Sequence, residues 1–250
     1  MSRRIVIVPD LQVPFHSRGG VEALAQFIED YKPDQVVCVG DLIDMPQISQ
    51  WTKGTAGEHT RDLHKHRNQA IEVIDMLQID VISRANHEDR LWKSLSQRLP
   101  GLLDLPELRI ENFLKLDEMN VVYSHEPFKL APGWYLLHGD ESAQSSKSGM
   151  TASNLSQKLG ASVAIGHTHK LGLIPTTHMV GGVVTRTDWG FEVGCILDFK
   201  SSGFKYMKGM ANWTQGFGML HVDGKTVTPT PVPIINKSFV VEGEKYSWKK

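Results

Sequence analysis

Cysteine is nearly missing: Cys38 and Cys195 are the two in 250 residues. Each lies inside an apolar run, "QVVCVG" and "VGCILDF", so a disulfide framework is excluded and two buried thiols in a reducing compartment are expected. Surplus charge is missing too. Lys and Arg total 27 against 28 Asp and Glu, a formal net charge of -1, which excludes a protein that coats DNA by bulk electrostatics and leaves any nucleic-acid contact to a local patch. No apolar run approaches the ~20 residues of a membrane span. The short apolar run "IVIVP" ahead of Asp10 is too brief for a secretory leader. We therefore expect a cytoplasmic protein with no membrane partner. Repeats and low-complexity linkers are also lacking, so residues 1–250 are expected to form one domain.

What is present is alternation. "RRIVIVP" predicts a strand, "GGVEALAQFIEDYK" a helix, "DQVVCVG" a strand, and Glu58 to Leu77 a long amphipathic helix. "DVISRA" predicts a further strand before a helix from about Glu88 to Leu99. Such βαβ order implies a mostly parallel inner sheet. Beyond Asn120 strands come more densely, in "NVVYSH", "GWYLLHG" and "SVAIGH", with a helix near Ala152 to Leu159. Residues 176–241 are mainly β and are expected to complete a second sheet; there "GFGMLHVDGKTVTPTPV" predicts a hairpin with Asp223-Gly224 in a type I′ turn.

Ligands of α/β sheets gather beyond the carboxyl ends of strands, and those ends carry metal-ligand types here. After the first strand come Asp10 and Gln12; after the second, Gly40-Asp41-Leu42-Ile43-Asp44; after the third, Asn86-His87-Glu88; later, His138-Gly139 and Gly166-His167-Thr168-His169. Carboxylates, an amide oxygen and several imidazoles together suit a borderline divalent cation, and Asp41 is able to bridge two. Two cations clamp a phosphoryl group and activate the water between them.

The ordered series "DLQ", "GDLID", "NHE", "HG", "GHTH" resembles the calcineurin-like metallophosphoesterase superfamily, in particular small prokaryotic and phage-encoded phosphodiesterases and the DNA-repair exonuclease branch. The resemblance spans Asp10 to His169 and implies a four-layer αββα sandwich with two mixed sheets around a dinuclear centre. It implies that Asp10, Gln12, Asp41 and His169 hold one metal and Asp41, Asn86, His138 and His167 the other, with manganese first and iron, zinc or magnesium as alternatives. It also implies a metal-bridging hydroxide as nucleophile, His87 as proton donor to the leaving oxygen, and Asp44 orienting His87. The substrate implied is a phosphodiester, with nucleic acid among the candidates; a phosphomonoesterase or a non-catalytic metal-binding scaffold is the alternative.

Two positions depart from the common pattern. Gln12 stands where histidine is usual, so either a weaker neutral oxygen ligates there, or Gln12 caps the turn and His16 reaches the metal or phosphate. Ala85 stands where glycine usually precedes Asn86. Met45 and Pro46 follow "GDLID" where the protein phosphatases of the superfamily carry an arginine, which argues against that activity.

Other polar residues receive plainer expectations. Asn86 suits the N-cap of the following helix, Glu88 a favourable first-turn acid, and Arg90 an exposed position. His59, His64 and His66 are expected on a solvated helix face, and His125 buried or near the site. Lys147, in "GDESAQSSKSGM", is a candidate phosphate ligand in a loop ordered over substrate. "KSSGFKYMKGMANWTQGF" interleaves Lys200, Lys205 and Lys208 with Phe204, Tyr206, Trp213 and Phe217. We expect a β-hairpin packing its aromatics inward, with a nucleic-acid track as the alternative.

Overall fold

The computed structural model describes residues 2–201, 203–204 and 211–249. Strands β1 (Ser2–Val8), β2 (Gln35–Cys38), β3 (Val81–Ser83) and β4 (Val122–Ser124) run parallel in one sheet. Helices α1 (Arg18–Tyr31), α2 (Leu63–Met76) and α3 (Asp89–Arg98) connect them, with a single turn, α4 (Ile110–Phe113), ahead of β4. A second sheet holds β5 (Phe128–Ala131), β6 (Trp134–Leu136), β7 (Ser162–Ile165), β8 (Leu171–Val180) and β9 (Val183–Val193), in the order β5-β6-β7-β9-β8. Helix α5 (Met150–Leu159) covers its outer face.

The chain's period-two pattern places each layer. Ile5 and Ile7 point between the sheets with Val37, Leu136, Ala164 and Phe191, while Val6 and Val8 point outward with Cys38 and Ile82 against α1 and α2. Both sides of β1 are buried, which is why the strand reads as a continuous apolar run. Helix α1 turns Val21, Leu24, Phe27 and Ile28 onto this sheet at helical spacing. It stops where Lys32 adopts φ 49° and donates its amide to the Ile28 carbonyl. The layers are helix, sheet, sheet, helix, in agreement with the αββα expectation.

The C-terminal strands depart from the sequence reading. β10 (Gly216–Asp223) and β11 (Thr226–Pro233) do form a hairpin, but it joins the first sheet, β10 pairing antiparallel with β1 in the order β11-β10-β1-β2-β3-β4. The free edge of β1 takes them up, so only β8 and β9 complete the second sheet. β12 (Ser238–Val241) and β13 (Glu244–Ser247) form a separate ribbon that packs Phe239 and Tyr246 on Phe27. Asp223 pairs with Thr226, so Gly224-Lys225 is the turn, and of these Gly224 alone has positive φ. A type I′ turn needs two positive φ values, which occur instead at Gly181 and Gly182, between β8 and β9. The first part of the second predicted helix is a short 3-10 turn, Ala56–His59.

Candidate metal centre

The carboxyl ends of β1, β2 and β3 meet those of β6 and β7, and the five motifs converge there. Backbone hydrogen bonds fix the loops before any side chain acts. The Gln12 amide donates to the Asp41 carbonyl (2.8 Å), Val13 to Leu42 (2.8 Å), and Asp44 back to Val13 (2.9 Å), lacing the "DLQ" turn to "GDLID". Gln12, Asp41, His167 and His169 all have φ between 48° and 64°. Left-handed backbone is uncommon outside glycine, less so for Asp and His than for Gln, and it clusters at functional sites.

Two groups of ligand atoms lie within 4.8 Å of one another: Asp41, His138 and His167, and Asp10, Asp41 and His169. Asp41 belongs to both. Asp10 and His138 are fully buried and Asp41 nearly so. The Asp10 Oδ1 accepts the His167 amide at 3.1 Å, and its Oδ2 is buried with no hydrogen-bond partner, as are Nδ1 of His167 and of His169. His138 Nδ1 donates to the Val39 carbonyl (3.0 Å), which turns Nε2 toward Asn86 Oδ1 (2.9 Å) and Asp41 Oδ1 (3.3 Å). The Gln12 Nε2 stands 3.2 Å from both Asp41 Oδ2 and His169 Nε2, so its amide lies at the second group.

The electrostatics fit a cation. Burial raises the Asp10 carboxyl, with the Asp41 charge adding to it. Burial also opposes ionisation of Asp41, yet His138 and His87 hold it well below the usual carboxylate range. His138 is driven upward to about 10 because Asp41 outweighs its burial. Burial instead lowers His167 to about 4 and His169 to about 3, leaving both neutral with a lone pair to give. Two buried carboxylates, neutral imidazoles, an amide and unpartnered buried donor atoms are the chemistry a divalent ion requires.

Glycine matters at two places. A Cβ on Gly166 would fall 2.8 Å from Asp10 Oδ2 and 2.4 Å from Val39. One on Gly40, which has φ 94°, would meet the Ala85 methyl at 2.4 Å, so Ala85 fills the space that Gly40 leaves open.

At the rim, His87 Nδ1 lies 2.9 Å from Asp44 Oδ1, and His87 Nε2 is 3.6 Å from Asp41 Oδ2. Burial works against the Asp44 charge, but His87 and Arg90 hold its carboxyl low. Asn86 bonds His138 rather than capping a helix; α3 begins three residues later. Arg90 is not exposed as expected. Its Nη1 donates to Asp44 Oδ1 (3.1 Å) and to the Asp44 carbonyl, and its Nη2 lies 2.8 Å from His87 Nε2. Glu88 is no surface acid either. It is buried and accepts the amides of Asp41, Leu42 and Ile43 at 3.1, 2.7 and 3.3 Å.

Two further residues went unread in the sequence. Glu192 is fully buried; it accepts the Thr151 and Ala152 amides at the start of α5 and the hydroxyl of Thr168, between the two histidines of "GHTH". Lys170, also buried, donates from Nζ to the Ser145 carbonyl (2.6 Å) and pins the loop after His138. A buried charged residue inside a strand, or just after a histidine motif, was the available signal.

Some candidates lie elsewhere. His16 is buried beyond Pro14, its backbone bridged to Leu197, and belongs to neither ligand group. Lys147 is exposed. His125 is exposed and pairs with Glu111 at 2.7 Å. His59 and His64 are exposed as expected, while His66 is half-buried beside Gln47. Of the "KSSGFKYMKGMANWTQGF" segment, Lys205, Tyr206 and Lys208 lie outside the described residues. Its described part is no hairpin: Phe204 and Trp213 pack on each other, and Phe217 lies in β10.

The family profile described as calcineurin-like phosphoesterase matches residues 3–171. The chain is 38% identical to the Gene 54 protein of Mycobacterium phage D29 over 97% of its own length and 98% of that protein. Identity to the Gene 54 protein of Mycobacterium phage L5 is 37% with the same coverage. Among solved structures, the chain is similar to Vacuolar Protein Sorting 29 from Cryptosporidium parvum, with a TM-score of 0.51 at 14% identity over 99% of this chain and 100% of that one. It is similar as well to Vps29 complexed with zinc from Entamoeba histolytica, with a TM-score of 0.50 at 14% identity over 98% of each chain. At that identity the structural likeness speaks for the fold. No helix among the described residues is long and apolar enough to cross a membrane.

Proposed function

The chain belongs to the calcineurin-like phosphoesterase family, and from that premise we propose that it hydrolyses phosphodiesters with two divalent cations, manganese first, held across Asp41. The observation that carries this reading is the shared carboxylate: Asp41 belongs to both buried ligand groups. Asp10, Gln12, Asp41 and His169 would hold one ion and Asp41, Asn86, His138 and His167 the other. Cations so placed supply the positive charge that draws phosphoryl oxygens and acidifies water.

The chain's own residues do the rest. His87 would pass the proton to the leaving oxygen, with the Asp44 carboxylate 2.9 Å from its Nδ1 to favour the protonated ring. Nε2 faces Asp41, which sets the donor at the edge of the shared ligand. Arg90 braces both His87 and Asp44. The protein-phosphatase clamp finds no counterpart at Met45, which is fully buried and apolar, and this favours a diester over a phosphoprotein. Nucleic acid is the macromolecular substrate we favour.

The test is hydrolysis of bis-p-nitrophenyl phosphate, p-nitrophenyl phosphate and single-stranded DNA with added manganese, using wild type and His87→Asn. We expect diester turnover that the substitution reduces at least 100-fold. A far better rate on the monoester would overturn the diesterase reading, and turnover untouched by His87→Asn would remove His87 as donor.

A further inference from the structure

The His169 side of the centre is aromatic. Trp213 meets the His169 ring edge-on, with centroids 4.4 Å apart. Behind it stand Phe204, at 5.4 Å, and Phe15, which packs on Phe204 at 5.7 Å. Phe199 completes the group at 6.1 Å from Trp213, with its ring plane tilted by 45°. The members differ in one respect. Phe204 is buried, 7% exposed, as the packing of an aromatic cluster requires, whereas Phe199 is 46% exposed.

The backbone keeps this surface in place. Thr214 donates its amide to the His169 carbonyl (2.9 Å), tying Trp213 to the neighbouring ligand. The segment bearing Phe199 leaves the metal centre directly: Ile196 donates to the Asp10 carbonyl (3.0 Å) and Asp198 to the Phe15 carbonyl (2.8 Å), while the Gln215 side chain donates to the Leu197 carbonyl (2.6 Å). An aromatic ring held in water beside a reaction centre loses the burial that normally rewards its ordering. A planar ligand that stacks on it restores that burial.

We propose that Phe199 and Trp213 form a stacking platform for one nucleobase of a nucleotide-containing diester whose phosphate is seated between Asp41 and His169. The two rings of the platform, Phe199 and Trp213, are aromatic and uncharged, which suits any base by its π-face rather than one base by its edge. Trp213 lies 4.4 Å from the His169 ring and Phe199 6.1 Å from Trp213, so the platform begins beside the candidate ligand. The inference deepens the diesterase reading above and names its substrate class: nucleotidyl esters, cleaved without strong base preference.

The experiment compares two esters with the same leaving group, thymidine 5′-(p-nitrophenyl phosphate) and methyl p-nitrophenyl phosphate, on the manganese-loaded full chain. Wild type should prefer the thymidine ester in kcat/KM, and Phe199→Ala should lower that preference about 10-fold, mainly through KM. Phe199→Trp should keep it. A second measurement, calorimetric binding of thymidine 5′-monophosphate against methyl phosphate, separates this inference from the reading it rests on. Should wild type cleave neither ester yet bind the nucleotide more tightly in a Phe199-dependent way, the diesterase reading falls and the platform stands. Equal binding of the two phosphates, or a preference that survives Phe199→Ala, overturns the platform whatever the turnover.

Discussion

Glu88 Oε1 accepts the backbone amide of Leu42 at 2.7 Å, within a turn whose Leu42 and Ile43 side chains are buried in the core. The carboxylate that follows "NH" in the chain is thus the support of "GDLID", and Asp41 is held through its backbone by a residue that belongs to neither ligand group.

Removing that support should be costly. Glu88→Ala strands the amides of Asp41, Leu42 and Ile43 in a buried setting, at about 1–3 kcal/mol for a stranded group. We expect a loss on the order of 3 kcal/mol by denaturant unfolding, with weaker manganese binding. Burial already raises the Glu88 carboxyl, so a neutral acceptor is tolerated there, and Glu88→Gln should lose less than half as much. Equal stability of Glu88→Ala and wild type would show that the turn is held by other means.

Asp41→Asn should weaken metal binding at both positions, whereas His169→Ala should spare the ion beside His138. Metal content after dialysis, read by mass spectrometry, distinguishes the two. One ion retained in Asp41→Asn at wild-type affinity would contradict the sharing of this carboxylate.

Gln12→His should tighten manganese binding. The Gln12 amide lies 3.2 Å from His169 Nε2, and histidine tolerates the left-handed backbone at that position. Unchanged affinity in a titration would place the side chain outside the coordination sphere.

Arg90→Ala should lower kcat by about 10- to 100-fold while metal content stays at the wild-type level, because the guanidinium braces His87 and Asp44 rather than a ligand. Arg90→Lys should recover little of that loss, since one ammonium does not span both partners. Full activity in the alanine variant would reduce Arg90 to a packing role.

Acid should destabilise the fold through His16, which burial, with help from Arg18, lowers to about 4. Its ordinary value is 6.5. Between these two values the unfolded chain takes up a proton that the folded chain refuses, so stability is lost as pH falls from about 6.5 toward 4 and changes no further below that. The size is up to about 3 kcal/mol. Unfolding of His16→Phe followed from pH 7 to 4 should show a shallower decline, and parallel curves would assign the acid sensitivity elsewhere.

The candidate ligands were legible because strand ends expose them: an apolar run that stops at Asp10, Asp41, Asn86, His138 or His167 marks both the element and the residue that leaves it. Their supports were not. Glu88 and Arg90 stand just before and on α3, where an acid and a base look like ordinary surface residues, and only their bonds to the "GDLID" turn and to His87 set them apart. Glu192 sits in β9, and its partners in α5 lie about forty residues away in the chain. The sheet to which β10 belongs was equally hidden, because a hairpin carries no mark of which strand edge will accept it. Local pattern named the elements; long-range pairing chose their neighbours.

That pairing sets an order of events. β1 leads into Asp10, yet its outer neighbour is β10, and the Asp10 backbone is itself bridged to Cys195 and bonded by Ile196. During synthesis the earliest motif must therefore wait for nearly the whole chain to emerge before its strand is enclosed on both sides. The candidate metal centre is assembled late, and a nascent chain that has already produced every candidate ligand up to His169 still lacks the strands that make them a site.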